Sequence, residues 1–116
     1  ISMNLFLCYS KCSTCKKARE FLKEHDIPFQ ERDIKENRPT KEELDAWITL
    51  SGESPRKFFN TSGLLYKSMN LKDKLDFMTN EEQIKLLSSD GMLVKRPLFI
   101  TDDKVYIGFK HYEDLL

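Results

Sequence analysis

The apolar positions of the chain fall into short runs whose period changes along its length. Residues Asn4 to Tyr9 (NLFLCY) are almost wholly apolar, the pattern of a strand buried on both faces. Ser10 to Cys12 turns the chain, and from about Ser13 to Glu24 the period lengthens to that of a helix. Ala18, Phe21 and Leu22 share one face there, while Lys16, Lys17, Arg19, Glu20 and Lys23 lie elsewhere. After Asp26 and Pro28, Phe29 to Ile34 predicts a second strand, polar enough to sit near a sheet edge. The middle of the chain is helical. Thr40-Lys41-Glu42-Glu43 and Thr79-Asn80-Glu81-Glu82 both carry the capping-box spacing, in which threonine bonds the N3 amide and the glutamate reaches back. Leu44, Trp47 and Ile48 follow the first as a buried stripe; Ile84 and Leu87 follow the second. Ser54-Pro55 predicts a further short helix with proline at its first position, and Gly91 suits a helix stop. Leu98 to Thr101 and Lys104 to Gly108 read as two strands about an Asp102-Asp103 turn, and His111 to Leu116 as a closing short helix.

The predicted order is therefore β-α-β, a helical insertion over about 40–91, then β-β-α. That is an α/β arrangement, a thioredoxin-like fold with a four-stranded mixed sheet and an enlarged middle. No repeat, low-complexity run or linker interrupts it, so a single domain is expected over 3–116. Ile1 and Ser2 precede Met3 and read as an addition ahead of the native start.

Charge narrows the partners. Lys+Arg and Asp+Glu number 19 each in 116 residues, for a formal net charge of zero. A general nucleic-acid binder normally shows a basic surface. No window holds the roughly 18 apolar residues a membrane helix needs, and Asn4 to Tyr9 is too short for a signal-peptide core. The expected address is the cytosol, where thiols stay reduced and a close cysteine pair serves redox or metal chemistry rather than stapling.

That pair is Cys12-Ser13-Thr14-Cys15, placed where a strand hands over to a helix. The free amides of a first helical turn, and the positive end of the helix dipole, favour a thiolate at Cys12. Lys11, Lys16 and Lys17 add positive charge. Such surroundings lower a thiol pKa from about 8.5 to roughly 3.5–7.5. One turn along, Cys15 lies within disulfide reach, so that Cys12 can attack and Cys15 resolve. A zinc site would need two more ligands at similar spacing, and only Cys8, His25 and His111 remain. Cys8, inside an apolar strand, reads as core. Arg96-Pro97 precedes the third strand; a cis bond there would set backbone against the cysteine loop. By itself Arg96 is either a solvated cation or an anion-holding residue, and Arg56 and Lys57 read as a solvated face.

Taken together, YSKCSTCKKAREFL (Tyr9 to Leu22), RKFFNTSG (Arg56 to Gly63), DGMLVKRPLFI (Asp90 to Ile100) and VYIGF (Val105 to Phe109) resemble the ArsC/Spx family of arsenate reductases, Spx transcriptional regulators and their relatives. The resemblance spans Met3 to Leu116. It implies that Cys12 is the nucleophile, Arg96 an oxyanion holder, and glutathione with glutaredoxin, or thioredoxin, the electron donor, with no bound cofactor. Lys11 and Thr14 join Arg96 as candidate substrate-binding residues, and Pro97 shapes the opposite face. Two departures stand out. Asn60 occupies the place of another anion-binding arginine, and Gly108-Phe109-Lys110 lacks a third. Charged hydrogen bonds contribute about 1.5–3 kcal/mol each, so an arsenate pocket missing two arginines is expected to be weaker by several kcal/mol. Cys15 is absent from glutathione-linked arsenate reductases and matches the CxxC switch of Spx.

Three function classes follow. One is a thiol-dependent reductase of arsenate, a disulfide or a glutathionylated substrate. Another is an Spx-like regulator that binds the RNA polymerase α subunit according to the state of Cys12 and Cys15; the resemblance puts Gly52 roughly where Spx has a contact glycine. A third is a thiol pair that only buffers redox stress.

Overall fold

The computed structural model describes residues 4–116; the expectation for Ile1, Ser2 and Met3 lies outside the described residues. Strand β1 (Leu5–Cys8), helix α1 (Ser13–Glu24) and strand β2 (Gln30–Asp33) form the opening unit. Helices α2 (Lys41–Ser51), α3 (Leu64–Ser68), α4 (Leu71–Lys74) and α5 (Asn80–Ser89) follow, with 3-10 turns at Pro55–Phe58, Leu75–Phe77 and Gly91–Leu93. Strands β3 (Leu98–Ile100) and β4 (Val105–Ile107) precede a final 3-10 turn at Tyr112–Leu115. The sheet order is β2-β1-β3-β4, with β1 parallel to β2 and antiparallel to β3, and β3 antiparallel to β4.

Each sheet face carries its own core, because successive strand residues point to opposite sides. Phe6, Cys8, Phe99 and Tyr106 face α1, meeting Cys15, Ala18 and Leu22 together with Tyr112. Leu7, Leu98, Ile100 and Val105 face the insertion, meeting Leu44, Trp47, Ile48, Phe58, Phe59 and Leu87 among others. Both capping boxes are present: Thr40 Oγ1 accepts from the Glu43 amide at 3.1 Å and Thr79 Oγ1 from the Glu82 amide at 3.1 Å, with each glutamate reaching back.

The polar strand β2 lies at the sheet edge and is fastened on both faces. Glu31 accepts from Arg19 of α1 at 2.6 Å on one side, and Arg32 donates to Glu43 of α2 at 2.7 Å on the other. A charged, clamped edge strand is a poor template for another chain. Arg56 is also more than a solvated cation: it donates to Asp76 at 2.7 Å and to the Lys72 carbonyl at 3.0 Å, tying the Pro55 turn to α4 and its neighbour.

Gly91 departs from its expected role. Asp90, in extended backbone, ends α5 and caps the next 3-10 turn through Oδ1 to the Met92 amide at 2.8 Å. Glycine stands next to it because a Cβ there would lie 1.9 Å from the Ile34 carbonyl oxygen. Two backbone segments cannot both yield, so Gly91→Ala is expected to cost about 3 kcal/mol or more. Denaturant unfolding checks this; a loss below about 1 kcal/mol would mean that the approach is soft.

Candidate functional site

Cys12 is the residue before the first turn of α1. Its amide donates to the Tyr9 carbonyl at 3.0 Å, closing the turn, and its carbonyl receives the Lys16 amide at 3.2 Å. Extended backbone (φ −102°, ψ 117°) sets its side chain across the helix start, where it forms no cap hydrogen bond of its own. The first turn of α1 contains no acidic residue, so nothing cancels the positive end of the helix. All three cysteines are free thiols.

The pair is sharply unequal. Cys12 is half-buried, and burial by itself pushes its thiol up. The Cys15 amide, the Cys15 thiol, the Arg96 charge and the Thr14 amide outweigh that penalty, and the net shift is downward. Cys15 is fully buried; desolvation pushes its thiol up to about 12 despite the Tyr9 amide, which donates to its sulfur at 3.3 Å. One sulfur is poised to ionise and the other to keep its proton and donate it. Cys8 belongs to the core, as its setting in the sequence suggested. Burial raises its thiol to about 11 even though Arg19 donates to it at 3.3 Å.

The lysines expected to lower Cys12 are replaced in that role by Arg96. Lys11, Lys16 and Lys17 are exposed, where water screens a mobile charge, and Arg96 is the charged side chain among the main contributions. Thr14 acts through its amide and also lines a hollow of about 530 Å³ beside Cys12. Lys11 is not among the residues lining it.

The hollow's far wall comes from distant segments. Phe59 and Val94 form an antiparallel bridge, in which the Asn60 amide donates to the Leu93 carbonyl and the Lys95 amide to the Phe58 carbonyl, both at 2.8 Å. That bridge ties the insertion to the loop entering β3 and brings Asn60, Lys95 and Arg96 to the cysteine turn. The Arg96–Pro97 peptide is cis. The Pro97 carbonyl accepts from the Gly108 amide at 2.9 Å, and Gly108 (φ 75°) turns the chain so that Phe109 and Lys110 complete the wall. Asn60 is drawn in tightly: a Cβ on Gly63 would lie 2.8 Å from its Nδ2.

Arg96 is the unusual member. Its Cζ sits 5.1 Å from the centre of the Tyr9 ring, and Nε and Nη1 are buried without a hydrogen-bond partner. Orphaned guanidinium donors are costly, and they stand beside the sulfur best able to ionise. Sequence reasoning missed Lys95, Ser62 and Lys110 as wall residues. Lys110 in particular brings a cation to the wall from the segment that lacks an arginine, though as a point charge rather than a planar fork. Among the described residues, no cluster of three or more His, Cys, Asp or Glu side chains is placed to hold a metal, and no helix is long and apolar enough to cross a membrane.

Comparison with known proteins agrees with this architecture. The ArsC family profile matches residues 7–114. The uncharacterized protein YusI of Bacillus subtilis strain 168 is 51% identical over 105 residues, covering 90% of this chain and 89% of that protein. The regulatory protein MgsR of the same organism is 33% identical, covering 90% and 81%. The crystal structure of an ArsC family related protein from Bacteroides fragilis superposes with a TM-score of 0.94 at 52% identity, covering 98% of this chain and 96% of that one. With nearly its whole length matched, and a cysteine turn, a cis-proline loop and a mixed sheet in this arrangement, the chain belongs to the ArsC family.

Proposed function

We propose that the chain is a thiol-dependent oxidoreductase in which Cys12 is the nucleophile, Cys15 the resolving thiol and Arg96 the holder of negative charge on the substrate. The observation that carries this reading is the juxtaposition of a downward-shifted Cys12 with an arginine whose buried donors have no partner, both lining one hollow. The cytosol, where an external thiol can restore the pair, suits this chemistry.

With a disulfide substrate, the Cys12 thiolate attacks one sulfur, forms a mixed disulfide and releases the first substrate thiolate. Cys15 then gives up its proton and attacks the Cys12 sulfur, releasing the second and leaving a Cys12–Cys15 disulfide. A thiol donor such as thioredoxin, or glutathione with glutaredoxin, returns two electrons. With arsenate, the Cys12 sulfur displaces one arsenic-bound oxygen, which leaves as water. Attack by Cys15 then passes two electrons to arsenic and frees arsenite. Arsenate would meet one guanidinium and two lysines here, with neutral Asn60 in the wall, so the residues favour a disulfide over a compact dianion. Oxidation of NADPH coupled through thioredoxin or glutaredoxin tests both substrates. The reading fails if neither is consumed and Cys12→Ser changes nothing.

The likeness to MgsR supports a second reading, in which the same pair is a redox switch controlling association with the RNA polymerase α subunit. Gly52 adds little to it: this glycine ends α2 in left-handed backbone (φ 71°), a local reason sufficient for its presence. Pull-down of the α subunit by oxidised and reduced protein decides the matter, and absence of binding in both states ends it.

A further inference from the structure

The hollow at Cys12 continues past its own rim. Lys95 and Lys110 line it and also line a second hollow of about 580 Å³, which adds Arg56, Lys57 and His111 against one carboxylate, Glu53. Arg56 is engaged by Asp76. Lys57, Lys95 and Lys110 form no ion pair among the described residues. In a chain with no net charge, three unpaired lysines along one track leading from the reactive sulfur are a local imbalance. Each hollow falls within the range of about 300–1,000 Å³ that holds a ligand of many atoms, far more than a tetrahedral oxyanion fills. At the rim beside Cys12 stands Leu64, 86% exposed, an apolar contact that a bare anion would not use.

We propose that this track binds an acidic polypeptide segment, so that a partner's cysteine reaches Cys12 while its Asp and Glu side chains lie along Lys95, Lys110 and Lys57. The proposal deepens the oxidoreductase reading and rests on it for the exchange step. There, Cys12 attacks the partner's disulfide and the partner's other thiolate leaves. A nucleic acid fits the track less well. Phe59, the phenylalanine lining the second hollow, is 1% exposed and offers no face for a base to stack on, which leaves only the His111 imidazole there. Apart from Arg96 at Cys12 itself, the unpaired cations along the track are lysines rather than phosphate-forking arginines.

The test uses three synthetic peptides with one cysteine each, joined as a mixed disulfide to 2-mercaptoethanol and flanked by acidic, neutral or basic residues. The acidic peptide is expected to react with Cys12 about tenfold faster than the neutral one at low salt, with the advantage shrinking at about 0.3 M salt. Lys57→Glu is expected to remove most of that advantage while leaving the rate with 2-hydroxyethyl disulfide unchanged. Equal rates for acidic and neutral peptides, or a preference untouched by Lys57→Glu, overturn the proposal. If neither 2-hydroxyethyl disulfide nor any of the three peptides reacts with Cys12, the disulfide-exchange step has failed, and fluorescence anisotropy of the acidic peptide on the Cys12→Ser protein judges the track alone. Salt-sensitive binding weakened by Lys57→Glu supports it; absence of binding, or displacement by an oligonucleotide at lower concentration than by unlabelled peptide, refutes it.

Discussion

Cys12→Ser is expected to lower turnover of any substrate of this site by on the order of a thousandfold or more, whereas Cys15→Ser stalls the reaction one step later. The difference follows from where the two sulfurs sit. Cys12 borders the hollow and its thiol is shifted down, so at any given pH more of it is thiolate than of an ordinary thiol. Cys15 has no exposed surface, and its thiol, held up near 12 by desolvation, cannot meet a substrate directly. In the proposed reaction it becomes a nucleophile only when Cys12 has been converted to a mixed disulfide and the sulfur one helical turn away turns electrophilic. In Cys15→Ser the first exchange is therefore expected to run within about tenfold of its original rate, because serine keeps a hydroxyl able to donate to the Cys12 thiolate. The mixed disulfide then accumulates and is visible by mass spectrometry. Cys15→Ala removes that donor and is expected to raise the Cys12 pKa as well. Alkylation of the unmodified protein should be confined to Cys12, slowing as pH falls through its lowered pKa, while Cys8 and Cys15 stay inert at neutral pH. Complete turnover by Cys15→Ser would show that an external thiol resolves the adduct and that Cys15 is not required.

Local chemistry was the readable part of this protein. Thr40 and Glu43, or Thr79 and Glu82, signal a helix start within four residues, and the structure forms both boxes as spaced. The nearly unbroken apolar run of β1 signalled a strand buried on both faces, and in the structure Leu7 and Leu98 pair on one face and Phe6 and Phe99 on the other. The site divides in the same way. Cys12, Thr14 and Cys15 lie on one turn, so their spacing reveals their proximity. Asn60, Lys95 and Lys110 meet through the Phe59–Val94 bridge and the Pro97–Gly108 hydrogen bond, contacts between segments far apart in the chain that leave no periodic trace. Gly91 shows the limit from the other side. Its position after a helix suggested a stop, yet what requires it is the Ile34 carbonyl, more than fifty residues earlier. The flanking lysines misled for an electrostatic reason. Counting charges near a motif ignores whether they point into water, and Arg96, distant in sequence, is the charge that Cys12 feels.

Arg96→Met is expected to separate stability from activity. In the resting protein Nε and Nη1 are buried with no acceptor, and the guanidinium is held against the Tyr9 ring at 5.1 Å. An unsatisfied buried donor costs about 1–3 kcal/mol, partly offset by the cation–π contact of roughly 0.5–2 kcal/mol. Methionine fills similar volume, packs on the same ring through its thioether and leaves no orphaned donor. Stability is therefore expected to be unchanged or to rise by about 1 kcal/mol, a gain at the expense of function. Turnover of an anionic substrate should fall about a hundredfold, as expected when a charged hydrogen bond of about 1.5–3 kcal/mol is lost. With the positive charge gone, the Cys12 pKa should move up toward that of an ordinary thiol, so the loss is smaller for a neutral disulfide and recovers as pH is raised. Arg96→Lys keeps the charge without the planar fork and should restore the Cys12 pKa more fully than the anionic turnover. Thiolate absorbance against pH, thermal unfolding, and rates with arsenate and 2-hydroxyethyl disulfide separate these effects. A variant that lost several kcal/mol of stability yet kept its anionic turnover would make Arg96 a structural residue and remove the anion from the mechanism.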